Sequence, residues 1–270
     1  MRIIRFLDDN NNICFGHKFE KESAVLLAGE FFNELKDTGK QVLVKKLLAP
    51  VKPSAILCIG LNYKEHAGET GFKLPEYPVL FMKNPSALAN PEDSIIIPRS
   101  CSSKPECDYE IELAVIIGKA AKNVSASNAL KYVYGYTIGN DVSARRWQMN
   151  AGSSQWVRGK SFDSFCPLGP VLVTKEDIPD SQDLELTCRL NGNVMQNAKT
   201  SDMIFTVAEL IAYLSDGTTL LPGTVILSGT PGGVGYTRKP PVYLMPGDIL
   251  ELTIDKIGTL RNPVQAESLQ

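Results

Sequence analysis

The segment most informative about the fold is Asp-Tyr-Glu-Ile-Glu-Leu-Ala-Val-Ile-Ile-Gly, residues 108–118. Its β-branched run predicts a strand, with Glu110 and Glu112 two residues apart at its head. Alternate residues of a strand share one face, so both carboxylates point the same way. Two neighbouring anions repel each other unless a cation lies between them, and oxygen ligands favour Mg²⁺, Mn²⁺ or Ca²⁺ over zinc. The stretch therefore predicts a metal site and an enzyme; the alternative is a pair of solvent-facing glutamates.

Length and composition indicate a globular protein with a substantial core. The chain has 270 residues, of which 43% are hydrophobic, enough for one large domain or for a small and a larger one. Its net charge of −2 and its dispersed basic residues argue against nucleic acid as a partner. No apolar run approaches the roughly 20 residues that a membrane span requires, so we expect no membrane partner.

The cysteines and the N-terminus predict a cytoplasmic location. No Cys-x-x-Cys pair occurs and the chain has two histidines, so we expect reduced thiols and no zinc cluster. The N-terminus becomes acidic within eight residues and lacks the apolar core of a signal peptide. The six cysteines are Cys14, Cys58, Cys101, Cys107, Cys166 and Cys188.

Residues 1–50 are predicted to form a small N-terminal α/β unit. Residues 1–18 have the pattern of two short strands around an Asp/Asn-rich turn, and apolar residues in Lys21–Lys36 recur at helical spacing. The Pro-bracketed segment Ala49–Pro53 has the composition of a linker. We therefore expect residues 51–270 to form the main, catalytic domain.

The main domain is predicted to consist mostly of short strands bounded by Gly, Pro or Asp. Helical signals are few: a serine-capped segment at Ser125–Val133, a short helix at Ala144–Asn150 and a capping box at Thr206–Glu209 that introduces Glu209–Leu214. This pattern favours an α+β, mostly-β fold with mixed sheets rolled into a barrel- or sandwich-like body over a doubly wound parallel sheet. The predicted strands are Ser54–Ile59, Pro78–Lys83, Ile95–Pro98, Glu112–Ile117, Val171–Thr174, Leu184–Leu190, Thr224–Leu227 and Ile249–Ile254.

Two further motifs extend the predicted site. Asp141 follows the apolar run Tyr134–Ile138, at a strand end where functional groups are often presented, and is our candidate for the third metal ligand; the alternative is a helix cap. His66 and Glu69 are three apart after a predicted strand, so on a helical turn they can hydrogen-bond. A histidine that a carboxylate orients is a competent general base, whereas the alternative is an ordinary surface pair.

Four more residues are candidates for substrate contact. Lys160 stands among small and apolar residues, where it could stabilise an enolate oxygen or form a structural ion pair with a metal carboxylate. Arg145 and Gln148, three apart, could share a helix face and bind a carboxylate and a carbonyl, or be ordinary surface residues. The Gly-rich segment 228–235 lacks a Walker lysine, so we expect its N–H groups and the Thr230 hydroxyl to face an anion other than a nucleotide.

As an ordered set over roughly residues 54–262, these motifs resemble the fumarylacetoacetate hydrolase family. One departure stands out, because the founding hydrolase has a further metal-binding aspartate where this chain has Leu61-Asn62. That departure argues against fumarylacetoacetate itself as the substrate. The matching segments are Gly-Leu-Asn-Tyr-x-x-His (60–66), Glu-x-Glu-Leu-Ala (110–114), Asn-Asp-Val-Ser-Ala-Arg (140–145), Gly-Lys-Ser-Phe-Asp (159–163), Cys-Pro-Leu-Gly-Pro (166–170) and Gly-Thr-Pro-Gly-Gly-Val-Gly (229–235).

The resemblance implies a C-terminal mixed-β catalytic domain and a homodimer. It implies Mg²⁺, with Mn²⁺ or Ca²⁺ as alternatives, held by Glu110, Glu112 and Asp141. The residues that it implies for catalysis are His66, Glu69 and Lys160. Those that it implies for substrate binding are Arg145, Gln148 and Thr230.

The resemblance also implies a substrate class, small β-dicarbonyl acids that react through an enolate stabilised by the metal. Water attack would cleave a C–C bond, as in acylpyruvates, and loss of CO₂ would make the enzyme an oxaloacetate decarboxylase. Removal and return of a proton would make it a keto–enol tautomerase, and similarity within the family favours oxaloacetate tautomerisation. A different class of function is a catalytically idle, metal-binding scaffold dimer.

Overall fold

A computed structural model of the chain describes residues 1–71, 73–150 and 154–268. The fold is mostly β, with mixed sheets and few helices, as predicted. The predicted end of the main domain at residue 270 lies outside the described residues. Within the described ranges, no helix is long and apolar enough to cross a membrane.

The N-terminal residues form antiparallel strands, and the helix predicted over Lys21–Lys36 is wrong. Lys21, Glu22 and Phe32 have positive φ angles of 47°, 65° and 78°, which an α-helix does not contain. Most apolar residues of this segment are instead paired with neighbouring strands, so tertiary pairing overrides their helical spacing. The five strands are β1 (Arg2–Leu7), β2 (Ile13–Glu20), β3 (Ser23–Gly29), β4 (Leu35–Leu43) and β5 (Lys46–Leu48).

The largest sheet has a central strand that is buried along its whole length. This strand, β11 (Ile111–Ile117), pairs antiparallel with β12 (Val133–Asn140) on one side and β17 (Thr224–Leu227) on the other, and all seven of its residues are buried. Strand β6 (Ala55–Gly60) runs parallel to β17 and antiparallel to β7 (Val79–Lys83), which lies at the edge of the sheet. The strands of this sheet after residue 50 are β6 (Ala55–Gly60), β7 (Val79–Lys83), β8 (Leu88–Ala89), β11 (Ile111–Ile117), β12 (Val133–Asn140), β14 (Cys166–Thr174) and β17 (Thr224–Leu227).

The N-terminal strands extend this sheet, because β1 pairs with β14 as well as with β2 and β5. Aromatic rings add to the contact: Phe31 stacks on Phe15 with ring centroids 4.5 Å apart and lies 5.2 Å from Tyr134 of β12. The unit of residues 1–50 therefore shares a continuous sheet with the rest of the chain. A domain boundary near residue 50 stays a prediction.

A second sheet and a short ribbon bring the remaining parts of the site together. The five-stranded sheet has the order β16-β15-β18-β19-β9, and the ribbon pairs Cys107 with Ala144 and Asp108 with Ser143. The ribbon thereby holds the residues before β11 against those after β12. Its strands are β10 (Cys107–Asp108) and β13 (Ser143–Ala144), and those of the second sheet are β9 (Ile95–Ile97), β15 (Glu185–Leu190), β16 (Asn193–Lys199), β18 (Ile249–Ile254) and β19 (Gly258–Ala266).

The helices are short, and three of them were predicted from the sequence. The capping box before α5 is present: the Glu209 N–H donates to the Thr206 hydroxyl at 3.3 Å, and the Thr206 N–H donates to the Glu209 carboxylate at 2.7 Å. The helix that ends at Lys160 carries no sequence signal that predicted it. The helices are α1 (Lys64–Thr70), α2 (Ala126–Ala129), α3 (Arg145–Met149), α4 (Trp156–Lys160) and α5 (Val207–Ser215).

Candidate metal centre and active site

Three buried carboxylates form the centre of the site at the head of β11. Glu110 precedes the strand, Glu112 is its second residue, and Asp141 directly follows the antiparallel neighbour β12. One carboxylate oxygen of each residue lies within 4.8 Å of the other two. Their exposed fractions are 5%, 1% and 0%, so the glutamates are not solvent-facing residues. The spacing of two along a strand brings both to one face, as predicted.

Cations contact two of these carboxylates. The Lys160 ammonium lies 2.7 Å from Glu110 and 2.6 Å from Asp141, and the Lys83 ammonium lies 2.5 Å from the second oxygen of Asp141. The Arg145 Nη2 atom lies 2.8 Å from Glu110, as a close ion pair without hydrogen-bond geometry. Asp141 is therefore held by two lysines, and its side chain does not cap α3.

These ion pairs keep Glu110 and Lys160 charged despite their burial. Burial by itself raises the pKa of Glu110, but Lys160 and Arg145 outweigh it and hold that pKa well below its ordinary value. Burial by itself lowers the pKa of Lys160, but Asp141 and Glu110 outweigh it and raise that pKa. The structural ion pair that the sequence suggested for Lys160 is thus present.

Glu112 differs from its neighbours, because no lysine or arginine of the described ranges lies within ion-pair distance of it. One oxygen accepts a hydrogen bond of 2.6 Å from the Gly229 N–H. Burial, followed by the charges of Asp141 and Glu110, raises the pKa of Glu112 well above its ordinary value. A divalent cation between the three carboxylates would supply the missing positive charge, so this all-oxygen donor set fits a hard ion such as Mg²⁺.

Asp108 holds Arg145 beside this centre. Its carboxylate is fully buried, accepts a hydrogen bond of 2.9 Å from Arg145 Nε and accepts two more from the N–H groups of Gly235 and Tyr236. The guanidinium also lies 4.3 Å from the centroid of the Tyr236 ring and donates to Gln148 at 2.9 Å. Arg145 and Gln148 therefore share a face as predicted, but both are buried rather than ordinary surface residues.

The predicted histidine–glutamate pair forms on α1. His66 is 7% exposed and its Nδ1 atom lies 3.4 Å from a Glu69 oxygen. Glu69 also accepts hydrogen bonds from the Gly233 N–H at 3.0 Å and from the Thr237 hydroxyl at 2.5 Å. Burial by itself raises the pKa of Glu69, but the hydrogen bonds from His66 and Thr237 lead the effects that lower it to about 2. The ionised carboxylate is therefore positioned to orient the histidine.

The N–H groups of the Gly-rich segment donate hydrogen bonds to anions, but these anions are the protein's own carboxylates. The Thr230 hydroxyl donates to the Ile111 carbonyl at 3.0 Å and accepts from Gln196 at 2.8 Å, so its proton is used within the protein. At Gly229, with φ of 100°, an added Cβ would lie 2.6 Å from the Asn62 Cβ, so the close approach requires glycine. The N–H groups that reach carboxylates are those of Gly229 to Glu112, Gly233 to Glu69 and Gly235 to Asp108.

A cavity of about 670 Å³ opens onto this cluster. Every residue that the sequence predicted for the site lines the cavity, except Asp141 and Glu69. These two residues contact lining residues: Asp141 contacts Lys160, and Glu69 contacts His66. The lining also includes apolar side chains, among them Val79 and Phe81 of β7 and Trp156 of α4. A cavity of this size can enclose a small organic acid.

Three residues that contact the centre or Arg145 beside it were not predicted: Lys83, Asp108 and Tyr236. Lys83 ends a predicted strand on the face of Phe81, and a lysine at that inward position was an available signal. Asp108 heads the stretch quoted first, two residues before Glu110. The contact of Tyr236 with Arg145 has no signal in the sequence, because the two residues meet only in the folded chain.

A mixed β fold that holds an all-carboxylate cluster and a histidine–glutamate pair around one cavity defines an enzyme that acts on a small molecule. The model of the fumarylacetoacetate (FAA) hydrolase C-terminal family matches residues 55–265. The chain belongs to the fumarylacetoacetate hydrolase family.

Relatives and solved structures agree with this membership. The chain is 48% identical over 229 residues to the fumarylacetoacetate hydrolase domain-containing protein 2 homolog of Dictyostelium discoideum. The aligned region covers 82% of this chain and 74% of that relative. It is 47% identical over 218 residues to the mitochondrial oxaloacetate tautomerase FAHD2A of Bos taurus, covering 80% and 68%. The crystal structure of 2-hydroxyhepta-2,4-diene-1,7-dioate isomerase from Mycobacterium marinum is 38% identical, with a TM-score of 0.85 over 100% of both chains.

Proposed function

We propose that this chain is a divalent-metal-dependent oxaloacetate keto–enol tautomerase. The observation that carries the proposal is that the carboxylate cluster and His66 face one cavity, so charge stabilisation and proton transfer can act on one substrate. The name of the bovine relative, an oxaloacetate tautomerase, supports the choice of reaction. When bound by Glu110, Glu112 and Asp141, Mg²⁺ would supply Lewis-acid stabilisation of negative charge on the substrate.

The chain's own residues divide the remaining work. In the keto-to-enol direction His66 takes a proton from the carbon between the two carbonyl groups and the enolate oxygen gains one; in the reverse direction the enol oxygen loses its proton and His66 returns one to the carbon. Glu69 fixes the orientation of the imidazole ring through its contact at 3.4 Å. Lys160, kept cationic by its two carboxylate partners, stabilises the negative oxygen of the enolate. Arg145 and Gln148 orient the substrate's carboxylate and carbonyl, and Thr230 shapes the adjoining wall.

The same site leaves other outcomes for the experiment to separate. Hydrolysis of an acylpyruvate would need water at the carbonyl carbon. Decarboxylation of oxaloacetate would need cleavage of the bond to the second carboxylate, release of CO₂ and protonation of the pyruvate enolate that remains. Both reactions pass through an enolate, so they would use the same cluster. A scaffold dimer would bind the metal and catalyse none of the three reactions.

A side-by-side assay tests the proposal. Purified protein with Mg²⁺ is mixed with enol-oxaloacetate, whose ultraviolet absorbance decays as the keto form appears, and total oxaloacetate and acetylpyruvate are followed in parallel. We expect the enol signal to decay faster than in buffer, with total oxaloacetate conserved, and chelation of the metal to abolish the acceleration. Faster loss of acetylpyruvate alone would establish a hydrolase. If no reaction is accelerated, the result would support the catalytically idle scaffold dimer.

We also propose that the protein is a homodimer that pairs through β7. This strand lies at the edge of the largest sheet, and its outward side chains Leu80 and Met82 are 48% and 43% exposed. Exposed apolar residues on an unpaired edge are typical of surfaces that bind another chain.

Light scattering tests this proposal. The wild-type mass should equal two chains, and aspartate at both Leu80 and Met82 should reduce it to one. The matched control is Leu43→Asp on β4, the opposite edge strand, where the leucine is 56% exposed. A wild-type monomer, or loss of the dimer in the Leu43 variant alone, would refute pairing through β7.

The predicted cytoplasmic location stays a prediction. The bovine relative is named as a mitochondrial protein.

A further inference from the structure

The cavity wall contains a lysine that the proposed chemistry does not use. Lys73 follows α1 by three residues, lines the cavity and is exposed. Within the described ranges it has no carboxylate within ion-pair distance. The other two cations of the lining, Lys160 and Arg145, each contact two carboxylates of the protein. Lys73 is therefore the lining cation whose charge no protein carboxylate of the described ranges offsets.

The apolar lining of the cavity makes the charge of Lys73 selective. Apolar side chains such as Val79, Phe81 and Trp156 line the same cavity as Lys73, and the rings of the last two meet at 5.3 Å. A carboxylate placed against such a wall loses hydration and gains no partner, which is unfavourable unless a cation lies within reach. An apolar group in the same place needs no such partner.

We infer that Lys73 binds the second carboxylate of a dicarboxylic 2-oxo acid and thereby makes the site selective for dicarboxylates over monocarboxylates. The inference rests on the proposed function, because it takes a 2-oxo acid as the substrate and places its first carboxylate at the carboxylate cluster end of the cavity. Since the lysine is exposed, its contribution is moderate and falls as salt is added.

Steady-state kinetics of the Mg²⁺-loaded protein test the inference with oxaloacetate and with phenylpyruvate, a monocarboxylic 2-oxo acid that also enolises. Lys73→Met should lower kcat/KM for oxaloacetate about tenfold, mainly through KM, because a charge-assisted contact is lost. The value for phenylpyruvate should change by less than about twofold, because no second carboxylate is present. Lys73→Arg should restore most of the oxaloacetate activity, and added salt should weaken the wild type more than the methionine variant.

The matched control is Lys64→Met, because Lys64 is exposed at the start of α1 and does not line the cavity. Equal losses of kcat/KM for both substrates in Lys73→Met would show that the lysine only maintains the local structure after α1. Unchanged oxaloacetate kinetics would show that it binds no carboxylate. Either result overturns the inference.

A binding measurement separates this inference from the proposed function. If the wild type turns over neither acid, the proposed function fails, and calorimetry with malate and lactate, which cannot enolise, still tests Lys73. We then expect Lys73→Met to weaken binding of malate, the dicarboxylate, about tenfold and to leave lactate unaffected. Equal effects on both acids would overturn the inference.

Discussion

Replacing Glu112 by glutamine is expected to abolish metal-dependent turnover while leaving the fold intact. No lysine or arginine of the described chain pairs with Glu112, and burial raises its pKa well above the ordinary value, so its negative charge needs a bound cation as partner. Its directed contact within the protein is the Gly229 N–H at 2.6 Å. Glutamine retains a carbonyl oxygen for that contact. We expect the affinity for Mg²⁺ to fall at least about 100-fold, since a direct ligand should matter no less than the residues that support one.

Two measurements check this prediction. Calorimetric titration with Mg²⁺ should show the lost affinity. Thermal unfolding of the metal-free protein should show no loss of stability, because glutamine keeps an oxygen for the Gly229 N–H and replaces a carboxyl group that burial shifts toward its neutral form by raising its pKa. The comparison variant is Glu110→Gln, which leaves Lys160 and Arg145 short of a counter-charge and should destabilise the protein by on the order of 3 kcal/mol. Unchanged Mg²⁺ affinity in Glu112→Gln would mean that the cluster is not the metal site.

Replacing His66 by asparagine is expected to lower kcat roughly 10²- to 10⁴-fold, the usual contribution of a general acid–base group. The imidazole of His66 lines the cavity. The other histidine of the chain, His17, lies on β2 and pairs with Asp37, so it cannot replace His66. The affinity for Mg²⁺ should not change, because His66 is not part of the carboxylate cluster.

The rate of enol-oxaloacetate decay and the incorporation of deuterium from heavy water into the substrate measure this effect directly. Glu69→Gln serves as the companion variant: it keeps the side-chain shape and removes the charge that orients the imidazole ring, so its loss should be smaller than that of His66→Asn. Deuterium incorporation at the wild-type rate in His66→Asn would exclude the histidine as the base.

Several features of the site could be predicted because local spacing alone determines them. Alternation along a strand brings Glu110 and Glu112 to one face, and a helical turn brings His66 to Glu69 and Arg145 to Gln148. The capping box at Thr206 likewise depends on residues three apart. Their roles in catalysis stay proposals, but their contacts follow from geometry within one strand or one turn.

The prediction that failed shows where local spacing is insufficient. The apolar residues of Lys21–Lys36 satisfy a helical period, yet the segment forms parts of β3 and β4, because pairing with β2 satisfies its backbone hydrogen bonds and buries Ala24 and Leu27. A short apolar pattern is compatible with either structure, and the neighbouring strands decide between them.

The sequence by itself determined the mostly-β fold class, the shared face of the two glutamates and the pairing of residues three apart, because each depends on backbone geometry within a few residues. Which charges meet depends on the folded arrangement of distant segments. Lys83 reaches Asp141 across 58 positions, Lys160 reaches Glu110 across 50, and Asp108 holds Arg145 from 37 positions away. Those contacts depend on sheet order and on the exclusion of water from a common core, and neither is written in the spacing of neighbouring residues.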